Sequence, residues 1–349
     1  MTSTNGYTPR AFSALPIGAT PNAPARPLRI CIASPDFVGP VKNGGIGTAY
    51  TAMADALADA GHEVICLYSG GTKCENNTID HWIASYSARK IRLVPLPQLS
   101  GTLQTTPQAT RSYEAYHWLK QQPAFDYIHF PEWQGLGYYT CLAKKQGLAF
   151  AKTTLCVGIH SMTAWLKEGA REYFGALWEL YADFMERESV RLSDVVVSPS
   201  QYLLNWIADR GWQLPPQAFV QQYVMPRSAQ KVPAASMART NSINEFVFFG
   251  RLETRKGIHL FCDALDRLPA DVRSRVKQVT FLGKDSIVDG QPASEFIHSR
   301  SQRWGCQVQI LSDYSQPQAI EYLREPGRLA VIASQLDNSP LTVYECLGA

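Results

Sequence analysis

The chain has 349 residues, 45% of them hydrophobic and 18% charged, which is enough for two ordinary domains with substantial cores. Its formal charge of +3 is scattered along the chain, arguing against a nucleic-acid partner recognised by phosphate neutralisation. The eight cysteines stand singly without metal-like spacing, as small core residues in a reducing compartment do, and no window reaches the roughly 18 apolar residues of a membrane span.

Residues 1–27, rich in Thr, Ser, Ala and Pro and without a leader pattern, predict a flexible tail. A first domain over 28–225 begins with the apolar run Leu28 to Ser34, a strand buried on both faces of a parallel sheet. A glycine loop with Gly44, Gly45 and Gly47 follows, then an Ala-rich helix from Ala49 to Ala60. Further strands are predicted at His62 to Tyr68, Ile91 to Leu96, Phe125 to Phe130 and Thr153 to Ile159, with helices at Ser112 to Lys120 and Gly135 to Lys145. This alternation implies an α/β fold whose ligands collect at the carboxyl ends of the strands. Gly44, Gly45, Gly47, Glu132 and His160 all fall at such ends. Each alone has an ordinary structural reading, as turn glycine, surface carboxylate or hydrogen-bonded histidine; their clustering is the functional signal. Trp165 to Leu192 reads as one long amphipathic helical region with many aromatics, before a strand at Asp194 to Ser200 and a helix at Gln201 to Asp209.

Residues 226–244 lack apolar periodicity and predict a linker. A second α/β unit occupies 245–349, with strands at Phe246 to Phe249, Val279 to Leu282, Gln307 to Leu311 and Leu329 to Ala333 and helices at Ile258 to Leu268, Ala293 to Trp304 and Gln316 to Leu323. Between its first strand and first helix lies Phe249 to Gly257, where free backbone N–H groups, the helix dipole, Arg251, Arg255 and Lys256 would together attract an anion. A dinucleotide fingerprint is not met, because Gly45 and Gly47 lead into Tyr50 and no suitable acidic residue follows about twenty positions on.

Taken together, the chain from Leu28 to Ala349 resembles the GT-B fold glycosyltransferases of glycosyltransferase family 4. The resemblance is carried in order by Asn43-Gly44-Gly45-Ile46-Gly47, Ile159-His160, the run Glu188 to Ser200, the Phe249 to Gly257 segment, and Asp337 through Glu345, which is similar to an E-x7-E motif with aspartate first. It implies two Rossmann-like domains facing each other across a cleft, the second incomplete at Ala349, in a cytoplasmic protein with peripheral membrane contact and further domains left open. It further implies a retaining, metal-independent and cofactor-free transfer of a hexose from a UDP- or GDP-hexose to a hydroxyl acceptor. Arg251 and Lys256 would grip the diphosphate, Gly44, Gly45 and Gly47 would let backbone approach the donor, and Glu345 would take the ribose. Asp337 would lie near the donor sugar, shorter by one methylene than the family's glutamate. Ser339, Leu341 and Thr342 would offer backbone groups at a helix start, His160 would stand beside the reacting sugar, and Glu132 is either a base, an acceptor orienter or structural. Arg255 occupies a position that the family pattern leaves free. Two other readings stand beside this one: a non-catalytic or donor-binding-impaired module of a larger protein, and a phosphorylase or epimerase on the same fold.

Overall fold

The computed structural model describes residues 13–14, 26–41, 44–100, 103–224 and 242–347. The chain divides near Pro226 into two compact units, with Leu166–Tyr173 grouping with the second. Most of the expected tail and linker, and Asn43, Gly348 and Ala349, lie outside the described residues.

The first unit is a parallel sheet of eight strands: β1 (Ser13–Ala14), β2 (Arg29–Ser34), β3 (Glu63–Tyr68), β4 (Ile91–Pro95), β5 (Tyr127–Pro131), β6 (Thr154–Gly158), β7 (Val195–Ser198) and β8 (Gln217–Val220). They lie in the order β1-β8-β7-β6-β5-β2-β3-β4. The order reverses between β2 and β5, the arrangement that opens a ligand crevice at the carboxyl ends of neighbouring strands. The central strands β2, β3, β5 and β6 are almost wholly buried, as their continuous apolar runs require.

Four features depart from the sequence reading. The helix expected from Ala49 begins at Gly45 and runs to Asp59, so Gly45 and Gly47 form its first turn and Gly44 caps it. The long region at Trp165 to Leu192 is two helices, Thr163–Ala170 and Leu177–Leu192, broken at Arg171, whose φ is +59°. The helix Ile79–Ser87, started by the Thr78 side chain, was not anticipated because it buries little beyond Tyr86. Strand β8 was also missed: its Gln-Ala-Phe-Val is only half-buried and carries no apolar alternation, yet Val195 to Ser198 pair with it in register. On its far side Ser13 and Ala14 of the expected tail pair with Phe219 and Val220.

The second unit holds a four-stranded parallel sheet in the order β13-β10-β9-β14, made of β9 (Glu245–Phe249), β10 (Gln278–Leu282), β13 (Gln307–Leu311) and β14 (Arg328–Val331); β11 (Ile287–Val288) and β12 (Gln291–Pro292) form a small antiparallel hairpin. The core joins Phe248, Phe281, Ile258, Phe261, Leu265, Ile297 and Trp304. Beneath the sheet, at its amino ends, the buried Glu245 carboxylate accepts from Thr280 Oγ1 at 2.6 Å, Tyr322 Oη at 2.5 Å and Arg328 Nε at 2.7 Å. Burial alone would raise its pKa, but these donors outweigh it and leave the carboxyl below its ordinary value, a satisfied structural charge. No helix of the described residues is long and apolar enough to cross a membrane.

Candidate functional site

In the first unit, the ends of β5 and β6 deliver Glu132 and His160 side by side. The Glu132 side chain is fully buried, and its Oε1 accepts the backbone N–H of His160 at 2.8 Å and that of Ser161. The carboxylate therefore holds the His160 backbone, while its Oε2 is buried without a hydrogen bond among the described residues. The His160 ring bridges two tyrosines, with Nδ1 2.7 Å from Tyr223 Oη and Nε2 2.9 Å from Tyr50 Oη. It also stacks on Tyr223 at 12° between planes. Gly158 makes this packing feasible. A Cβ there would lie 2.8 Å from both His160 Nε2 and Tyr50 Oη and 2.9 Å from His129 Nε2.

The sequence reading missed Glu186, on helix Leu177–Leu192. It is buried, and its carboxylate accepts from Gln134 N at 2.9 Å, Thr163 N at 2.8 Å and Thr163 Oγ1 at 2.7 Å. In the run that carried the family resemblance, Glu188 is instead half-buried and pairs with Arg191. A helical period places Glu186 on the buried face with Ala182, Ser189 and Val190, a signal available from sequence had the region been split correctly.

Burial dominates the titration of these groups. It pushes Glu132 up to about 7 and Glu186 up to about 8, and it pushes His129 down to about 4 and His160 down to about 3. The raised carboxyls keep their protons where the unfolded chain has lost them, so the stability they contribute is present at low pH and lost as pH rises through their folded values. The depressed imidazoles behave oppositely, losing their contribution as pH falls from 6.5 towards their folded values. Above pH 6.5 the unfolded imidazoles only finish losing their protons, a gain smaller than the loss from the two carboxyls, so the urea midpoint of the first unit is expected to fall from pH 6.5 to pH 8.5. A midpoint that rises across this window would contradict the assigned burial.

Two of the three glycines meet a carboxylate of the chain itself. Asp36 Oδ2 accepts from Gly44 N at 2.8 Å and from Gly47 N at 3.3 Å. Burial raises the Asp36 carboxyl, and these two N–H donors counter part of the rise. The helix start expected to face a donor is thus partly occupied by Asp36, while Gly45 stands in the first turn between them.

In the second unit, the turn after β9 and the loop after β14 meet. Lys256 Nζ lies 2.5 Å from Asp337 Oδ2, both side chains being largely buried. Burial lowers the Lys256 pKa, and the Asp337 charge opposes that shift. Arg255, passed over in the sequence reading, is the buried guanidinium. It donates to Leu336 O at 3.0 Å and Glu253 Oε1 at 2.7 Å, and it lies 3.8 Å from Asp337 Oδ1. Arg251 is exposed, 3.5 Å from Glu253. The chain then passes through Ser339, at φ +52°, into the helix Leu341–Leu347, which begins with Leu341 and Thr342 and buries Glu345. Burial raises the Glu345 carboxyl, and the Gln316 side-chain amide donates to it and lowers it in part. The structure therefore brings Arg251, Lys256, Asp337, Ser339, Leu341, Thr342 and Glu345 to the carboxyl-end side of one sheet, joined by Arg255.

Residues 44–221, just over half of the chain, match the model of the glycosyl transferase 4-like domain. The chain belongs to this family. No curated protein matches this glycosyltransferase by sequence. Among solved structures it is similar to sucrose-phosphate synthase from Thermosynechococcus elongatus, with 16% identity and a TM-score of 0.64 over 91% of this chain and 78% of that one. It is also similar to WaaG, a glycosyltransferase involved in lipopolysaccharide biosynthesis, with 13% identity and a TM-score of 0.61 over 91% and 78%. The catalytic domain of starch synthase IV from Arabidopsis thaliana, bound to ADP and acarbose, aligns with 14% identity and a TM-score of 0.56 over 89% and 79%. These likenesses establish the fold of the glycosyltransferase as GT-B, built from two Rossmann-like units, in agreement with the sequence expectation.

Proposed function

We propose that this glycosyltransferase moves a hexose from a UDP- or GDP-hexose to a hydroxyl acceptor with retention of anomeric configuration. The observation that carries the reading is the buried Lys256–Asp337 pair at 2.5 Å, flanked by Arg251 and Arg255 where β9 turns into the helix Ile258–Asp266. A departing nucleoside diphosphate builds negative charge on its leaving oxygen, and preorganised cations stabilise it without reorganising at the moment of reaction. Lys256 supplies a point charge and Arg251 a planar fork for that diphosphate, so the reading needs no metal. Asp337 keeps Lys256 neutralised until the donor arrives, then turns to the hexose hydroxyls. Glu345 receives the ribose on the oxygen that Gln316 does not occupy.

In the transfer, the bond from the anomeric carbon to the diphosphate oxygen breaks and the acceptor oxygen bonds to the same face. The acceptor proton passes to the leaving oxygen. His160, kept neutral by burial, orients the sugar, and Glu132 supports the His160 backbone. The test is nucleotide release from a panel of UDP- and GDP-hexoses with glycan, lipid and small-molecule acceptors, with the product anomer read by NMR. Retained configuration is expected. Failure to bind any nucleotide at millimolar concentration would leave the non-catalytic module reading, and turnover with phosphate alone would make the protein a phosphorylase.

A further inference from the structure

One side chain joins the two loops that leave β5 and β6. On the β5 side, Gln134 and Gly135 adopt φ of +56° and +65°, and a Cβ at Gly135 would lie 2.3 Å from Met185 Cβ, so the turn presses directly on helix Leu177–Leu192. Glu186, the next residue of that helix, captures Gln134 N at 2.9 Å. On the β6 side, it captures both Thr163 N at 2.8 Å and Thr163 Oγ1 at 2.7 Å. Glu132 takes the N–H groups of His160 and Ser161. Residues 160–163 are thus held at one end by Glu132 and at the other by Glu186, while the His160 ring is caught between Tyr50 and Tyr223.

We infer that Glu186 is a positioning residue for sugar transfer, fixing through Gln134 and Thr163 the backbone that presents His160. The inference rests on the proposed role of His160. Simple space-filling does not explain the arrangement, because all three partners are donors and converge on two oxygens. A carboxyl accepts from all three whether or not it carries its proton, because each of its oxygens keeps a lone pair. An amide of the same shape does not: with two donors at Oε1 and one at Oε2, either orientation of a glutamine sets its NH₂ against a donor.

The experiment is Glu186→Gln in the full chain, compared with the wild type in steady-state kinetics and in NMR of ¹⁵N-labelled histidine rings, with the His160 signals assigned through His160→Gln. Misplacement of the presenting loop is expected to lower kcat by about 10- to 100-fold. The KM for the nucleotide-sugar should stay within about twofold, since the proposed diphosphate grip belongs to the other unit. The His160 ring signals are expected to shift as the tyrosine hydrogen bonds adjust. Wild-type kcat with unshifted His160 signals would overturn the inference. Thr163→Val, which removes one donor and keeps the carboxylate, is read by the same criteria should Glu186→Gln fail to fold. A wild type that turns over no nucleotide-sugar would defeat the proposed function alone, and the His160 signals would still decide whether Glu186 positions that ring.

Discussion

Replacing Lys256 with alanine is expected to lower kcat/KM for the nucleotide-sugar by about 10²- to 10³-fold, the usual cost of removing one preorganised group from a developing negative charge. Lys256 is suited to this because its position is set before the donor arrives: its ammonium is largely buried and anchored 2.5 Å from Asp337, while Arg255 ties the same turn to Leu336 and Glu253. The pair also contributes to stability, so the kinetic effect must be separated from a folding effect. Removing one member of a buried pair leaves the other charge poorly compensated, whereas removing both relieves that cost. The double variant Lys256→Ala/Asp337→Ala should therefore recover part of the urea midpoint lost in Lys256→Ala while remaining as slow or slower in transfer. A Lys256→Ala protein with wild-type kcat/KM would sink the diphosphate assignment, and full recovery of activity in the double variant would reduce the pair to a structural one.

A large effect on stability is expected at Gly257. Its φ of +78° is a conformation that a side chain adopts only with strain, and a Cβ there would lie 1.9 Å from the carbonyl oxygen of Ala333. That oxygen belongs to backbone following β14, so it cannot move without displacing the loop that carries Asp337. Gly257→Ala should cost about 3 kcal/mol or more, combining left-handed strain with overpacking. Gly61→Ala is the informative contrast. Gly61 has a φ of +87° with nothing within 4 Å of the added carbon, so that variant carries the conformational cost alone, about 1 kcal/mol. Urea unfolding followed by tryptophan fluorescence should separate the two; equal losses would show that the Ala333 contact carries no weight.

The candidate site was legible in unequal parts. Motif spacing names Lys256, Asp337 and Glu345; the structure pairs the first two and buries the third against Gln316. The three basic residues of one turn, however, could not be told apart by sequence. Arg251 stands at the surface, and Arg255, whose position the family pattern leaves free, is buried and binds Leu336 across 81 positions of chain. The sequence presents the glycines as a loop that lets backbone approach the donor. They form a helix start whose Gly44 and Gly47 N–H groups already meet Asp36. The Glu188 that opens the run carrying the resemblance pairs with Arg191, while Glu186, two residues earlier, is buried against Thr163.

What the sequence by itself determined is the alternation of strands and helices, the two α/β units and the strand ends where polar residues gather. These are written in periods of two to four residues, and short-range sterics and burial enforce them locally. What only the tertiary structure decided is which charges are buried and which partner each one takes. Glu186 lies 23 residues from Thr163 and 52 from Gln134, and Lys256 lies 81 from Asp337. A buried charge is tolerated only where the fold brings complementary groups to it, and that requirement leaves no local mark in the chain.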